Sequence, residues 1–294
     1  EKTMRLSTIY QNNHFVLSYE LFPPKTEKGL ESLNTHLSTL LTHNPQFITC
    51  TYGAGGSTRD RTLTTLEVVR ALTDIPIASH LTCVQATADE IRSYVQKAVA
   101  LGVSNIVAIR GDIPQGQDSF EVTEGGFGYA NELVDFLHSE FPDLGVAVGG
   151  YPEKHPEAVS LDEDIINLKR KVDAGADTIM TQLFYDNEAF YRFRDKCVTA
   201  GITIPIVPGM MPVTSFKQIT RLTELSGSTL PVEVTNKLEQ HQEDAKAQFT
   251  IGIEFAIQQC ADLIDSGVPG LHFYVLNKSE ATMAVLDGLP TLPS

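Results

Sequence analysis

The chain has 294 residues, 42% of them hydrophobic and 20% charged, enough apolar material for one large core or two small ones. Its formal net charge of −15 and pI of about 4.9 repel phosphate backbones and anionic lipid surfaces, which argues against nucleic acid or a membrane as partner. An anionic ligand would therefore need a locally basic pocket. The N-terminal EKTMRLSTIYQNN has no apolar leader core, and no segment reaches the roughly 18 apolar residues of a membrane span, so a cytoplasmic protein is expected. The cysteines Cys50, Cys83, Cys197 and Cys260 form no C-x-x-C pair and read as small core residues.

Short runs rich in Val, Ile, Phe, Tyr and Thr predict strands, and apolar spacings of three and four predict helices. FVLSYEL (15–21) is the first strand, followed by a helix marked by Leu30, Leu33, Leu37 and Leu40. FITCTY (47–52) is the second; Leu63, Leu66, Val69 and Thr73 mark the helix after it. IASHLTC (77–83) is the third, and TADE (87–90) is a capping box opening the helix of Ile91, Val95, Ala98 and Leu101. NIVAIRG (105–111), GVAVGGY (145–151) and TIMTQLF (178–184) are strands four to six, the last preceding a helix of Phe190, Phe193 and Cys197. TIPIVPG (203–209) is the seventh, before a helix of Phe216, Ile219 and Leu222. Residues 227–246 lengthen the next gap and read as an extra short helix; a long final helix over 247–266 and the strand GLHFYVL (270–276) complete the set. Most runs start about thirty residues apart, the length of a β-α unit. The expectation is one domain over 1–294, a parallel eight-stranded (β/α)₈ barrel of the TIM type, with a doubly wound open sheet as the rival.

Barrel sites gather where strands end, because the βα loops meet there. Those ends carry Glu20, then Thr51 and Tyr52, His80, Arg110–Asp112, Tyr151–Glu157, Gln182 and Leu276–Lys278. Each alone has an ordinary alternative: a paired structural carboxylate for Glu20, a local turn for Arg110–Asp112, structural histidines for His80 and His155. Their convergence on one rim is the signal. GAGGSTRD (53–60) links a strand to a helix and could bind an anion through its amides, but it is neither a dinucleotide fingerprint nor a Walker A sequence. Asp164, Asn167 and Lys171 share one helical face, either a ligand patch or a solvated stripe. No metal-binding spacing and no G-x-S-x-G elbow occurs.

YELFPPKTEKG, TYGAGGSTRDRT, HLTC, AIRGD, YPEKHPEA, NLKRKVDAGAD, TQLFYD, RFRDKC, VPGMMPV and HFYVLNK recur in order over residues 15–288. Together they resemble methylenetetrahydrofolate reductase of the bacterial single-domain type. The resemblance implies a (β/α)₈ barrel holding FAD, which NADH or NADPH reduces before 5,10-methylenetetrahydrofolate takes the nicotinamide's place and becomes 5-methyltetrahydrofolate. One pocket would serve both in ping-pong order, for one-carbon metabolism and methionine supply. Glu20 matches the family's proton donor, its pKa expected to be raised by partial burial, and Asp112 the aspartate near flavin and folate. Gln182, Gln218 and Lys278 match substrate-contacting positions. The FAD site would use Thr51, Tyr52, Ala54 and His80; Arg110, Gly111 and Asp112; Ala130; Tyr151 and His155; and Asp164, Asn167, Arg170 and Lys171. Thr51 is also a candidate nicotinamide contact.

Three departures stand out. Many relatives carry Arg where this chain has Lys278, which keeps the charge but loses the bidentate fork. Leu222 stands where some members place an aromatic against the nicotinamide. The loop 113–128 is longer and glycine-rich, as a flap would be. No regulatory domain follows in the sequence, so inhibition by S-adenosylmethionine is not expected; a homo-oligomer is. A flavin-independent folate reductase, a pterin-binding methyltransferase or aldolase barrel, and a non-catalytic subunit are the alternatives, separable by colour and by NADH oxidation.

Overall fold

A computed structural model describes residues 4–52, 56–112, 120–290 and 292–293. One parallel sheet contains β1 (Val16–Leu21), β2 (Phe47–Cys50), β3 (Ile77–Thr82), β4 (Asn105–Ile109), β5 (Gly145–Gly150), β6 (Thr178–Thr181), β7 (Ile206–Val207), β8 (Gly209–Met210) and β9 (Gly270–Tyr274). The order runs β7-β6-β5-β4-β3-β2-β1-β9-β8. β7 and β8 are two halves of the expected seventh strand, parted at Pro208, which has no N–H to give a ladder. One half pairs with β6, the other with β9, and His272 N–H donates to the Pro208 carbonyl at 3.1 Å. The nine segments are thus the eight staves of a closed (β/α)₈ barrel.

The helices are α1 (Leu6–Asn12), α2 (Glu27–Leu40), α3 (Gly56–Leu72), α4 (Ala88–Ala100), α5 (Ala130–Glu140), α6 (Leu161–Asp173), α7 (Asn187–Thr199), α8 (Phe216–Ser226), α9 (Val232–Gln240), α10 (Ala245–Asp265) and α11 (Glu280–Gly288). Local chemistry sets their starts. Thr26 accepts from Gly29 N–H to open α2, and Thr87 and Glu90 form the reciprocal capping box of α4. The leucine stripe of α2 then buries Leu33, Leu37 and Leu40 completely, each burial stabilising by about 1.5–3 kcal/mol. The extra segment before the last strand holds α9, whose Val234 and Leu238 pack with Met211, Val213 and Ile219. The helix expected over 247–266 is α10, but it is not the final one: α11 completes the last β-α unit, and its Val285 and Leu286 join the main core.

The barrel's N-terminal end is stopped by α1, which the sequence pattern did not announce. Leu6 and Ile9 pack against Val16, Phe47, Ala78, Val107, Ala147 and Met180, one residue from each of the first six strands. Buried Asn105 ties the plug in, accepting from Leu6 N–H at 2.8 Å and donating to the Met4 carbonyl at 2.9 Å. With this end stopped, the interior cavity lies where the strands end. Among the described residues no helix is long and apolar enough to cross a membrane.

Candidate functional site at the barrel mouth

Side chains alternate across a strand, so residues two apart share a face. Counting outward from the interior layer at Val16, Phe47, Ala78, Val107 and Met180 gives Ser18 and Glu20, Thr49 and Thr51, His80 and Thr82, Ile109, and Gln182. Glu20, Thr51, His80, Thr82, Ile109 and Gln182 line a cavity of about 830 Å³ at the mouth, closed by Tyr52, Arg110–Asp112, Tyr151, His155 and Tyr274. Period-two geometry is what turns widely spaced sequence positions into one pocket. Gly111 sits in the left-handed region at φ 92°, where a side chain would be strained and would press on Thr82 and Val84.

Glu20 lies between two imidazoles. His80 Nε2 is 3.1 Å from its Oε2, and His272 Nε2 is 3.5 Å from the same oxygen. Among the described residues neither ring nitrogen makes a directed hydrogen bond. The other side of the His272 ring meets Ser18 Oγ at 2.8 Å, and the ring stacks on Phe47, so it is fully buried and fixed. Burial pushes the Glu20 carboxyl up, but the charge of His80, contacts to both rings and the charge of His272 together outweigh it. The carboxyl is held down to about 2. This corrects the expectation of a raised pKa: the resting group is a carboxylate.

A second cavity of about 550 Å³ adjoins the first and shares Arg110, Gly149, Tyr151, His155 and Glu157 with it. Its far wall is Ala130 and the polar face of α6, with Asp164, Asn167, Arg170 and Lys171. Lys171 is the unusual group. Its Nζ donates to the Gly149 carbonyl at 2.7 Å, and burial pushes its pKa down to about 8 despite the nearby Asp164 carboxylate. Asp164 also accepts from His155 N–H at 2.8 Å, which anchors the loop after β5. That loop is further held by Lys154, at φ 87°, whose Nζ donates to the Ala158 carbonyl at 2.6 Å. Arg110 reaches Glu157 through both guanidinium ends, at 2.7 and 2.6 Å, where the two cavities meet.

The two cavities accommodate an elongated, partly anionic ligand. A Cβ built on Gly149 would meet nothing within 4 Å among the described residues, so the backbone there is open to a flat ring. Thr82 Oγ1 is buried without a hydrogen-bond partner among the described residues. The half-buried ammonium of Lys171, with Arg170 next to it in sequence, is chemistry suited to a diphosphate.

Of the positions singled out by sequence, Glu20, Thr51, Tyr52, His80, Arg110, Gly111, Asp112, Tyr151, His155 and Gln182 line the first cavity. Ala130, Asp164, Asn167, Arg170 and Lys171 line the second. Gln218 and Lys278 line neither: Gln218 is engaged locally, accepting from Thr214, and Lys278 lies exposed beyond β9. Ala54 and residues 113–119 of the long loop lie outside the described residues. Sequence reasoning missed His272, Ser18 and Tyr274. Period two within GLHFY aims His272 and Tyr274 inward together, and that was the available signal.

The sequence profile of methylenetetrahydrofolate reductase matches residues 5–290. The chain is 37% identical over 295 residues to methylenetetrahydrofolate reductase (NADH) 1 of Arabidopsis thaliana, covering 97% of this chain and 50% of that protein. It is 38% identical over 277 residues to 5,10-methylenetetrahydrofolate reductase of Escherichia coli (strain K12), covering 94% and 91%. The chain spans about half the length of the plant relatives it matches. Among solved structures, an uncharacterized protein from Clostridium thermocellum, described as binding two copies of 5-methyl-5,6,7,8-tetrahydrofolic acid, aligns at a TM-score of 0.65 and 16% identity, over 96% and 97% of the chains. Oxaloacetate acetylhydrolase aligns at 0.54 and 12% identity, over 98% and 83%. At these identities both likenesses concern the fold alone.

Proposed function

Because the chain belongs to the methylenetetrahydrofolate reductase family, we propose that it reduces 5,10-methylenetetrahydrofolate to 5-methyltetrahydrofolate, using FAD with NADH or NADPH as reductant. The observation that carries this reading is the meeting of Glu20, Asp112 and Gln182 in one cavity that continues to the cationic face of α6. When bound, FAD would supply hydride transfer between the nicotinamide and the folate methylene carbon, each partner occupying the pocket in turn.

Arg170 and Lys171 would hold the diphosphate, with Asp164 and Asn167 beside them and the flat ring lying over Gly149. Gln182 would hydrogen-bond whichever heterocycle occupies the mouth. Opening the substrate's five-membered ring makes N10 a leaving group, and N10 needs a proton. Glu20 faces the cavity with His80 and His272 against its carboxylate, so this cluster would deliver a proton to N10 through the carboxyl. Asp112, exposed at the rim, would place negative charge near the ring system and set its readiness to give up hydride. The product would serve methionine supply in the cytoplasm, from a homo-oligomer.

Anaerobic stopped-flow tests the reading. The purified protein should carry or take up FAD, lose its yellow colour on mixing with NADH or NADPH, and regain it with 5,10-methylenetetrahydrofolate. Protein that stays colourless after incubation with FAD, yet binds folate, would replace this reading with a flavin-independent barrel.

A further inference from the structure

Just past β9 the backbone takes a conformation that residues other than glycine rarely adopt. Leu276 and Asn277 are consecutive left-handed residues, at φ 49° and 55°. Asparagine tolerates this region and leucine does not, so the pair persists only because a contact to the rest of the fold fixes it. The Asn277 carboxamide does so. Its Oδ1 accepts from Phe22 N–H at 3.0 Å, and its Nδ2 donates to the Phe22 carbonyl at 2.7 Å.

These two bonds extend a ladder. β1 and β9 pair up to Glu20 opposite Tyr274, and Val275 N–H still reaches the Glu20 carbonyl at 3.4 Å. Beyond that point the chains would part, since Pro23 and Pro24 follow Phe22 and offer no N–H. Asn277 makes the next rung with a side chain in place of a backbone. Phe22 is two residues past Glu20, so the strand end carrying that carboxylate is pinned from β9. The turn also leaves Leu276 38% and Phe22 40% exposed, and both line a cavity of about 210 Å³ shared with Glu20, Thr51 and Gln182. An apolar ledge therefore borders the polar pocket.

We propose that Asn277 is a positioning residue: its carboxamide locks the ends of β1 and β9 together, holding Glu20 against His80 and His272 and the Phe22–Leu276 ledge beside them. The catalytic consequence rests on the folate-reductase reading; the positioning of Glu20 does not. Asn277→Gly keeps the left-handed turn and loses both hydrogen bonds. Asn277→Asp keeps the turn and an acceptor for Phe22 N–H, but once ionised cannot donate to the carbonyl.

Two measurements follow. Infrared difference spectroscopy against Glu20→Gln reads the protonation of Glu20 without any substrate. The Gly variant should titrate at least one unit higher than wild type, with Asp between them; an unchanged titration overturns the proposal whatever the substrate is. Half-reaction kinetics on FAD-loaded protein then compare flavin reduction by NADH with reoxidation by 5,10-methylenetetrahydrofolate. In the Gly variant reoxidation should slow at least tenfold more than reduction, and Asp should recover part of it. Equal losses in both, tracking a loss of urea stability, would make Asn277 a fold residue and overturn the proposal. Wild-type protein inert toward folate would refute the functional reading, while the infrared result still decides the positioning.

Discussion

The electrostatic state of Glu20 is the most testable consequence of the site. Its carboxyl moves from an ordinary 4.5 to about 2, a difference worth about 3 kcal/mol at 1.36 kcal/mol per unit. That net value conceals opposition: burial is the largest single influence and pushes upward, while His80 and His272 pull downward. Removing the imidazoles should therefore do more than cancel the depression. His80→Gln removes the largest lowering influence and should raise the carboxyl by at least about one unit. Adding His272→Asn should carry it above 4.5, because only burial then remains.

Infrared difference spectra against a Glu20→Gln background supply the assay. At pH 4.5 a carboxyl titrating at about 2 is protonated to less than about one part in a hundred, so the wild type should show no carboxylic-acid band from Glu20. The double variant should be at least half protonated there. Stability must follow with opposite slopes. In the wild type the folded carboxyl is more acidic than the unfolded one, so its contribution is present above pH 4.5 and is lost as pH falls toward 2. In the double variant the folded carboxyl is the weaker acid, so the same group gains stability on acidification toward 4.5. Comparing urea midpoints with and without Glu20 at several pH values separates the cases. If Glu20 in the double variant stays ionised at pH 4.5, the balance of burial against the two imidazoles is refuted.

Glu20→Gln itself should leave flavin reduction by NADH within about threefold and slow folate-driven reoxidation by about 10² or more, the usual reach of a positioned proton donor; loss of both steps alike would make Glu20 a flavin or fold residue. Asp112→Asn should raise the flavin midpoint potential, measured by dye equilibration, and an unmoved potential would remove its tuning role. Lys171 titrates at about 8, and a bound diphosphate would pull that value up, so FAD binding should take up a proton and weaken as pH rises above 8, by up to about tenfold per unit. Lys171→Met should weaken binding and flatten the dependence. Isothermal titration in two buffers of different ionisation enthalpy measures the proton directly, and equal proton uptake in wild type and Lys171→Met would exclude Lys171 as its source.

How much of this was legible in the sequence depended on how local each feature's cause is. The eight staves were readable because β-branched and aromatic runs bury on both faces in a closed parallel sheet. Only the break at Pro208 was not drawn, although proline's missing N–H already required it. Helix α1 left no trace because seven residues with little periodic pattern owe their helicity to the barrel end they stop, not to propensity. The rim residues were readable from a single rule about strand ends. The direction of the Glu20 shift was not, because a strand-borne carboxylate in isolation can only be assigned the effect of burial. The opposing charges come from His80, two strands away in the ring, and from His272, brought opposite Ser18 by pairing across 254 residues.

The same distinction explains Asn277. HFYVLNK reads as a strand running into a polar loop, and nothing in those seven letters demands two left-handed residues. The demand comes from the other side of the barrel seam, where Pro23 and Pro24 end the ladder one rung before the rim and leave the Phe22 N–H and carbonyl to be satisfied. A buried acid tuned by distant bases needs a scaffold that fixes its distance to them. At this seam a side-chain amide, spanning from one strand end to the other, provides that constraint where the backbone no longer can.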